Sequence, residues 1–336
     1  MLGTAAAVPY REITELTLAH VGLGRLTEAA AMDLVGNAHC HRLTHGTGHS
    51  IRGIVDETGR VVYPGYYYTK LDVLPGRLLG LHRVWEHVAV EIDVRRYGAL
   101  LLASRASLAG HPSSEDARAP VESATVLACN SFYIDRPGGQ MEAVAPKPGT
   151  VAALPPLKEA PWAREVQAVP RLFAEAQARG SIDPAFGGDR CNVAALRLIP
   201  RFGYDLPWGE HVAFSQYATI CGALERDALA SIGQAGSFPT AAWEWSETVR
   251  RETVYCAMVS DESALTARVR MRVSPASDRA LPSGRRLAAE LEFVVDVRRE
   301  PDDALVLSSS ATRVLAVPDA LTELVEQCRR WCEAVS

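Results

Sequence analysis

Between residues 265 and 273 the apolar Leu265, Ala267, Val269, Met271 and Val273 alternate with Thr266, Arg268, Arg270 and Arg272. A two-residue period sends successive side chains to opposite faces of an extended chain, so this stretch is a strand with one buried and one polar face. Leu291, Phe293, Val295 and Val297 repeat the pattern, and Val88, Val90, Ile92 and Val94 carry it in the first half. Residues 61–73, 100–108, 124–133, 248–258 and 305–314 read the same way, and 51–55 is a shorter candidate before the turn Asp56-Glu57-Thr58-Gly59. Half-buried strands in that number pair antiparallel and need a second layer to cover the apolar face. Helical patterns supply it. Leu26, Ala30, Leu34 and Ala38 recur at i+4 behind the start signal Thr27-Glu28, and residues 211–232 carry Phe214, Tyr217, Ala218, Cys221 and Leu224. Pro318 opens a terminal amphipathic helix with Leu321, Leu324, Val325 and Cys328 on one face.

Helix-then-strands is thus written twice. The expected class is α+β, and the expected architecture is a double hot-dog: two tandem modules, each a long helix wrapped by an antiparallel sheet. The modules span 1–145 and 162–336. Residues 146–161, rich in proline and without periodicity, form an extended linker. A parallel β-α alternation is the competitor, but there is no P-loop, and Gly22-Leu23-Gly24 lacks the third glycine of a phosphate fingerprint.

The 336 residues balance 35 basic against 40 acidic side chains, a net charge of -5 that repels polyanions and makes nucleic acid an unexpected partner. Seven cysteines without framework spacing fit reduced thiols. The first residues carry no basic start or apolar run of a signal peptide, and no stretch reaches the roughly 18 apolar residues of a membrane span. The expected location is the cytoplasm, with no membrane contact and with oligomerisation open.

Four groups of residues bear on chemistry. His39, Cys40, His41, His45 and His49 form one, and His41 and His45 share a helix face at the spacing of zinc ligands. The alternative is that they solvate a helix C-terminus before Gly46 and Gly48, where positive charge is favourable. With no second ligand cluster, no metal is assigned. Tyr63, Tyr66, Tyr67 and Tyr68 lie in one strand, where alternation sends successive rings to opposite faces. A phenol with an ordinary pKa near 10 needs a special environment to act as a nucleophile. Cys129-Asn130-Ser131 sits in or at the end of a strand, where an amide and a hydroxyl can serve an oxyanion or simply make a turn. No Gly-x-Ser-x-Gly elbow accompanies Ser131. Arg268, Arg270 and Arg272 line one strand face, suited to phosphates such as those of CoA or to acids on the next strand.

A family resemblance rests on four motifs. They are Gly24-Arg25-Leu26-Thr27-Glu28 leading to Asp33-Leu34-Val35-Gly36-Asn37-Ala38-His39, then Val62-Tyr63-Pro64-Gly65-Tyr66-Tyr67-Tyr68, Asn130-Ser131-Phe132-Tyr133, and Pro200-Arg201-Phe202-Gly203-Tyr204-Asp205 with Phe214-Ser215-Gln216-Tyr217. Together they resemble the leinamycin-type bifunctional methylmalonyl-CoA acyltransferase/decarboxylase family of polyketide biosynthesis. The resemblance implies a double hot-dog enzyme that takes an acyl group from CoA, loses carbon dioxide and loads an acyl carrier protein. It implies no cofactor, acyl-CoA being substrate. It places the acyl-accepting tyrosine on Tyr63, with Tyr66, Tyr67 and Tyr68 as alternatives, and the thioester-oxygen holders on Asn130 and Ser131. Other outcomes of the same fold stay open: a thioesterase, dehydratase or cyclase on a carrier-bound polyketide, or a non-catalytic acyl-binding subunit. A dehydratase wants an Asp or Glu with a His, and Asp33, Glu86 and His87 have no identifiable pairing.

Overall fold

The alternating segments form fourteen strands in the computed structural model, which describes residues 9–17, 19–22, 25–50, 53–74, 77, 79, 82, 86–98, 100–111, 121–136, 140–187, 189–197, 214–231, 238–257, 264–275, 280–281, 284–300 and 302–335. Leu23, Gly24, the 200–205 motif, residues 211–213, Ile232 and Met258 lie outside the described residues, as do the side chains of Tyr63, Cys191 and Phe214.

In the first half β1 (Tyr10–Glu15), the two-residue β2 (Val21–Gly22) and β3 (Arg25–Leu26) precede α1 (Glu28–Thr47). Then follow β4 (Tyr63–Val73), β5 (His87–Tyr97), β6 (Leu101–His111), β7 (Val121–Arg136) and β8 (Gln140–Ala143). Two helices, α2 (Ala163–Gln167) and α3 (Val169–Arg179), lead to β9 (Asp189–Arg197) and α4 (Phe214–Ser231). The chain closes with β10 (Ser246–Tyr255), β11 (Ala264–Pro275), β12 (Ala280–Leu281), β13 (Arg285–Arg299), β14 (Ala304–Pro318) and α5 (Thr322–Val335).

All strands but the β2–β3 ribbon join one antiparallel sheet in the order β1-β5-β6-β7-β4-β10-β14-β13-β11-β9, with β8 added to β7 and β12 to β13. The halves meet where β4 pairs with β10, from Asp72 opposite Arg250 to Tyr68 opposite Val254. One core gathers around α1, with Leu34, Val35, Ile92, Leu102 and Phe132. A second gathers around α4 and α5, with Leu224, Val269, Leu291, Phe293 and Trp331. On the opposite face α2 and α3 cover Tyr67, Tyr68, Ala103, Leu127 and Cys129. No helix among the described residues is long and apolar enough to cross a membrane.

The Thr27 hydroxyl caps α1 by accepting the Ala30 N–H at 3.2 Å, and Glu28 in the first turn faces the positive end of the helix dipole. Gly48, at φ 71°, closes the helix by donating to the Thr44 carbonyl. Three local expectations are corrected. Residues 146–161 are not extended: they fold into turns and a 3-10 turn (Leu157–Glu159) that bury Leu154 and Leu157. Pro318 ends β14 rather than opening a helix, and α5 starts at Thr322. Of the described residues 53–55, only Val55 enters a β-bridge, an isolated one to Val61.

The seam is held by charge. Arg251 on β10, 4% exposed, donates from Nε to Glu28 of α1 at 2.6 Å and from Nη1 and Nη2 to Glu225 of α4 at 2.7 and 3.1 Å. Arg313 on β14 reaches Glu225 at 3.2 Å, and Thr248 donates to Glu28 at 2.7 Å. Nearby, Arg25 bonds the Glu244 carbonyl and lies 4.5 Å above the Trp245 ring. Removing one partner of such a pair leaves a buried charge uncompensated. Arg251→Ala is therefore expected to lower unfolding free energy by about 3–5 kcal/mol, and Arg251→Met by less, since its longer side chain refills the space although the carboxylates are left equally unpaired. Urea unfolding midpoints check this; equal, sub-kilocalorie losses in both would refute it.

Candidate functional site

Residues 28, 32, 36 and 39 recur on one face of α1, so Glu28, Met32, Gly36 and His39 form a stripe. His39, 1% exposed, lies with its ring centroid 5.7 Å from that of Tyr66 on β4. Tyr66 stands directly opposite Asn130 of β7, and Asn130 is fully buried. These three side chains, from a helix and two strands, form a polar island inside the α1 core.

Neither ring nitrogen of His39 makes a hydrogen bond, and the polar contact of the Asn130 amide is with the Tyr66 phenol. A buried polar group without a partner costs about 1–3 kcal/mol, so such groups call for an explanation. Burial drives the island's ionisation. It pushes the Tyr66 phenol well above its usual range, with lesser upward contributions from Cys40 and Tyr255, while Asn130 acts the other way. Burial also lowers His39 to about 4. Near neutral pH the island is an uncharged imidazole, a protonated phenol and an amide: a set built to donate hydrogen bonds.

A β-bulge decides which tyrosines belong here. The β4–β7 register shifts between Tyr66, opposite Asn130, and Tyr68, opposite Cys129. Tyr67 is the extra residue. Tyr67 and Tyr68 consequently share the far face, where Tyr67 meets Phe173 edge-on at 5.6 Å and the Tyr68 hydroxyl donates to Glu252 at 2.7 Å. Strict alternation, as expected from the sequence, fails at this point. Asn130 and Ser131 are also separated. Asn130 lies opposite core residue Leu102, while Ser131 lies opposite Leu101 on the α2–α3 side and bonds Tyr133. Tyr63 pairs with Tyr133 through the backbone, and its side chain lies outside the described ones.

Further along α1 toward its N-terminus, a small cleft with room for about one water lies at the seam. Met32 and Glu28 of α1, Thr69 and Leu71 of β4, Arg251, Thr253 and Tyr255 of β10, and Tyr217 and Ala218 of α4 line it. Thr69 and Tyr255 hydroxyls meet at 3.0 Å across the halves. Asp33, one residue beyond Met32, has its carboxyl pushed up by burial and partly restored by a hydrogen bond to Ser215 of α4. Of these only Tyr217, Asp33, Glu28 and Ser215 fall in the motifs that carry the family resemblance. Arg251, Thr253 and Tyr255 carry no motif.

The other candidates disperse. His41 bonds Glu12 at 2.8 Å, and the His45 ring stacks on Tyr10 at 5.3 Å. Among the described residues no three His, Cys, Asp or Glu side chains converge as a metal site. Arg270 pairs with Asp296 and Arg272 with Glu292, both acids of β13. The described cysteines Cys40, Cys129, Cys221, Cys256, Cys328 and Cys332 are free thiols.

No protein-family model matches the chain, and no curated protein matches it. Solved structures do. The acyl-ACP thioesterase of Bacteroides thetaiotaomicron VPI-5482 is 14% identical with a TM-score of 0.53, covering 90% of this chain and 96% of that one. A protein described as an oleoyl thioesterase of Lactobacillus plantarum is 13% identical with a TM-score of 0.55, covering 94% and 99%. At such identity the likeness is one of fold: a mixed α+β chain with a large antiparallel sheet and few helices, of the hot-dog kind.

The depressed His39 pKa links the island to stability. Between the unfolded value near 6.5 and about 4, the unfolded chain binds a proton that the folded chain refuses, so stability falls as pH falls through that window. From pH 7 to 5 the loss attributable to His39 is about 2 kcal/mol. Urea titrations at both pH values are expected to show a smaller pH difference in His39→Phe than in the wild type. The same difference in both proteins would contradict the assignment.

Proposed function

We propose that the chain acts on acyl thioesters of an acyl carrier protein or of CoA, as a double hot-dog of modules 1–145 and 162–336 joined by 146–161, with the thioester held on the Asn130–Tyr66–His39 island of the first module. The observation that carries this is a buried cluster of uncharged polar groups, the Asn130 amide against a protonated Tyr66 with the unbonded imidazole of His39 beside it. A thioester carbonyl is an acceptor of the right kind. Its oxygen takes the Asn130 N–H and the Tyr66 O–H, which strengthen as negative charge develops in a dry site. His39 takes a proton from the attacking water or acceptor thiol, the new bond to the acyl carbon forms, the C–S bond breaks, and the departing thiolate receives that proton. The reading uses no metal and no cofactor, and free thiols suit a reducing cytoplasm.

A second reading keeps decarboxylation. Loss of carbon dioxide from a methylmalonyl-type thioester passes through an enolate whose oxygen the same two donors would hold, and the dryness around Asn130 favours that chemistry. Acyl transfer to a carrier would then use Tyr63, because burial raises the phenols of Tyr66, Tyr67 and Tyr68 and makes them poor nucleophiles.

Incubation with octanoyl-CoA and with methylmalonyl-CoA, followed by thiol release, carbon dioxide release and intact-protein mass, tests both readings. Thiol release without carbon dioxide supports the first; carbon dioxide with an adduct mapped to Tyr63 supports the second. Asn130→Ala and Tyr66→Phe are each expected to lower kcat about 10²- to 10³-fold with the thermal midpoint within a few degrees of wild type. Wild-type turnover in both variants would remove the island from the reaction.

A further inference from the structure

The strand β1 ends the sheet order, with β5 on one side and no strand among the described residues on the other. Which of its groups face outward follows from the ladder. The Leu16 N–H donates to the Glu86 carbonyl, in step with the register that sets Thr14 opposite Val88, Glu12 opposite Val90 and Tyr10 opposite Ile92. Hydrogen-bonded pairs alternate along an antiparallel ladder, so these even-numbered residues bond β5, while Arg11, Ile13 and Glu15 turn their N–H and C=O groups to the open edge. The same alternation sorts the side chains. Tyr10 packs against the α1 core and stacks on His45, and Glu12 bonds His41. Arg11, Ile13 and Glu15 lie on the opposite face and are exposed, Ile13 by 54%.

Charged residues on an edge strand commonly keep it from pairing with another chain. Here their order has the opposite effect. Laid antiparallel on itself about Ile13, the segment Arg11-Glu12-Ile13-Thr14-Glu15 sets Arg11 opposite the partner's Glu15, Ile13 opposite the partner's Ile13, and Glu15 opposite the partner's Arg11. These are the residues whose backbone groups face outward, so each pair exchanges both of its N–H···O=C bonds.

The match extends into both sheets. Arg11 stands opposite Glu91 of β5, and Glu15 opposite His87. Across the junction the outer row therefore reads Glu91, Arg11, the partner's Glu15, the partner's His87, an acid and a base in alternation on one face. Ile13 stands opposite Ala89, so the middle row is Ala89, Ile13, the partner's Ile13 and the partner's Ala89, apolar throughout. A guanidinium has donors for an acid on either side, so Arg11 can face both glutamates. The helices clear one another as well. α1 packs over β5 and β1, and the two β5 strands, three strand spacings apart, lie about 14 Å from each other, whereas packed helices need only about 8–10 Å.

We propose that β1 is the surface through which two copies of this chain associate, by antiparallel edge pairing about Ile13 that joins their sheets into one. The occupant is a second copy because the strand is complementary to itself in charge, in apolar contact and in backbone register at once.

Sedimentation equilibrium of the full chain at concentrations up to about 100 µM, the range of weak interfaces, is expected to show monomers in equilibrium with dimers. Ile13→Pro removes an N–H that points away from β5, so it is expected to give monomers with the circular dichroism and thermal midpoint of the wild type. Arg11→Glu and Glu15→Arg each set like charges against each other in both outer pairs, and each alone is expected to dimerise at least about tenfold more weakly. Mixed in equal amounts they restore both acid–base pairs, and a heterodimer is expected within about threefold of the wild-type affinity. A wild-type chain that stays monomeric throughout the range overturns the inference, whatever the variants do. A dimer that persists in Ile13→Pro, or folded charge variants that gain nothing on mixing, overturns it too by placing the interface elsewhere.

Discussion

A guanidinium placed between two carboxylates from different helices sets the geometry on which the rest of the molecule depends. Arg251 belongs to β10, Glu28 to the first turn of α1, and Glu225 to the second half of α4. Without it the β4–β10 pairing would still hold the two halves edge to edge, but only the longer contacts of Arg313 to Glu225 and Glu28 would tie the two core helices together. Buried ion pairs are poor sources of net stability, because desolvation offsets most of their attraction. Their value here is positional. The four charged groups Arg251, Arg313, Glu28 and Glu225 restrict one another's placement, and their arrangement presents the stripe of α1 to β4 and β7.

Once the stripe is placed, burial does the chemistry. The same desolvation that penalises Tyr66 phenolate and His39 imidazolium leaves both neutral, and neutrality turns a tyrosine from a candidate nucleophile into a donor. Asn130, which cannot ionise, completes the set. The far face of the sheet obeys other rules: there Tyr67, Tyr68 and Ser131 pack beneath α2 and α3, with hydroxyls drawn to Glu252 and Tyr133.

Much of the sheet was legible because alternation is a local property: residues 265–273 and 291–297 lie within β11 and β13, and 88–94 within β5. The helices α2 and α3 were not legible. Pro155, Pro156 and Pro161 read as a linker that ends just before these helices, and Pro170 sits at the start of α3, where a missing N–H costs nothing. For the candidate site, residue types in the tyrosine run and at Asn130 drew attention to the two strands, β4 and β7, that carry the island. Which side each ring faces depends on a one-residue register shift between β4 and β7 that no local pattern announces. Arg251 and Glu28 stand 223 residues apart, a separation at which neither residue's neighbours in the chain give any hint of the other.

The bulge in β4 has the arithmetic of an insertion. Before it, the even-numbered Tyr66 faces α1; after it, the odd-numbered Thr69 and Leu71 do. Excising Tyr67 would leave a strand of strict two-residue period in which every remaining side chain kept its present side. The island and the cleft therefore do not owe their facing to that residue. What it contributes lies behind them: an additional ring for Phe173 to pack on, and so a better-filled contact beneath the α3 helix that roofs the back of the sheet.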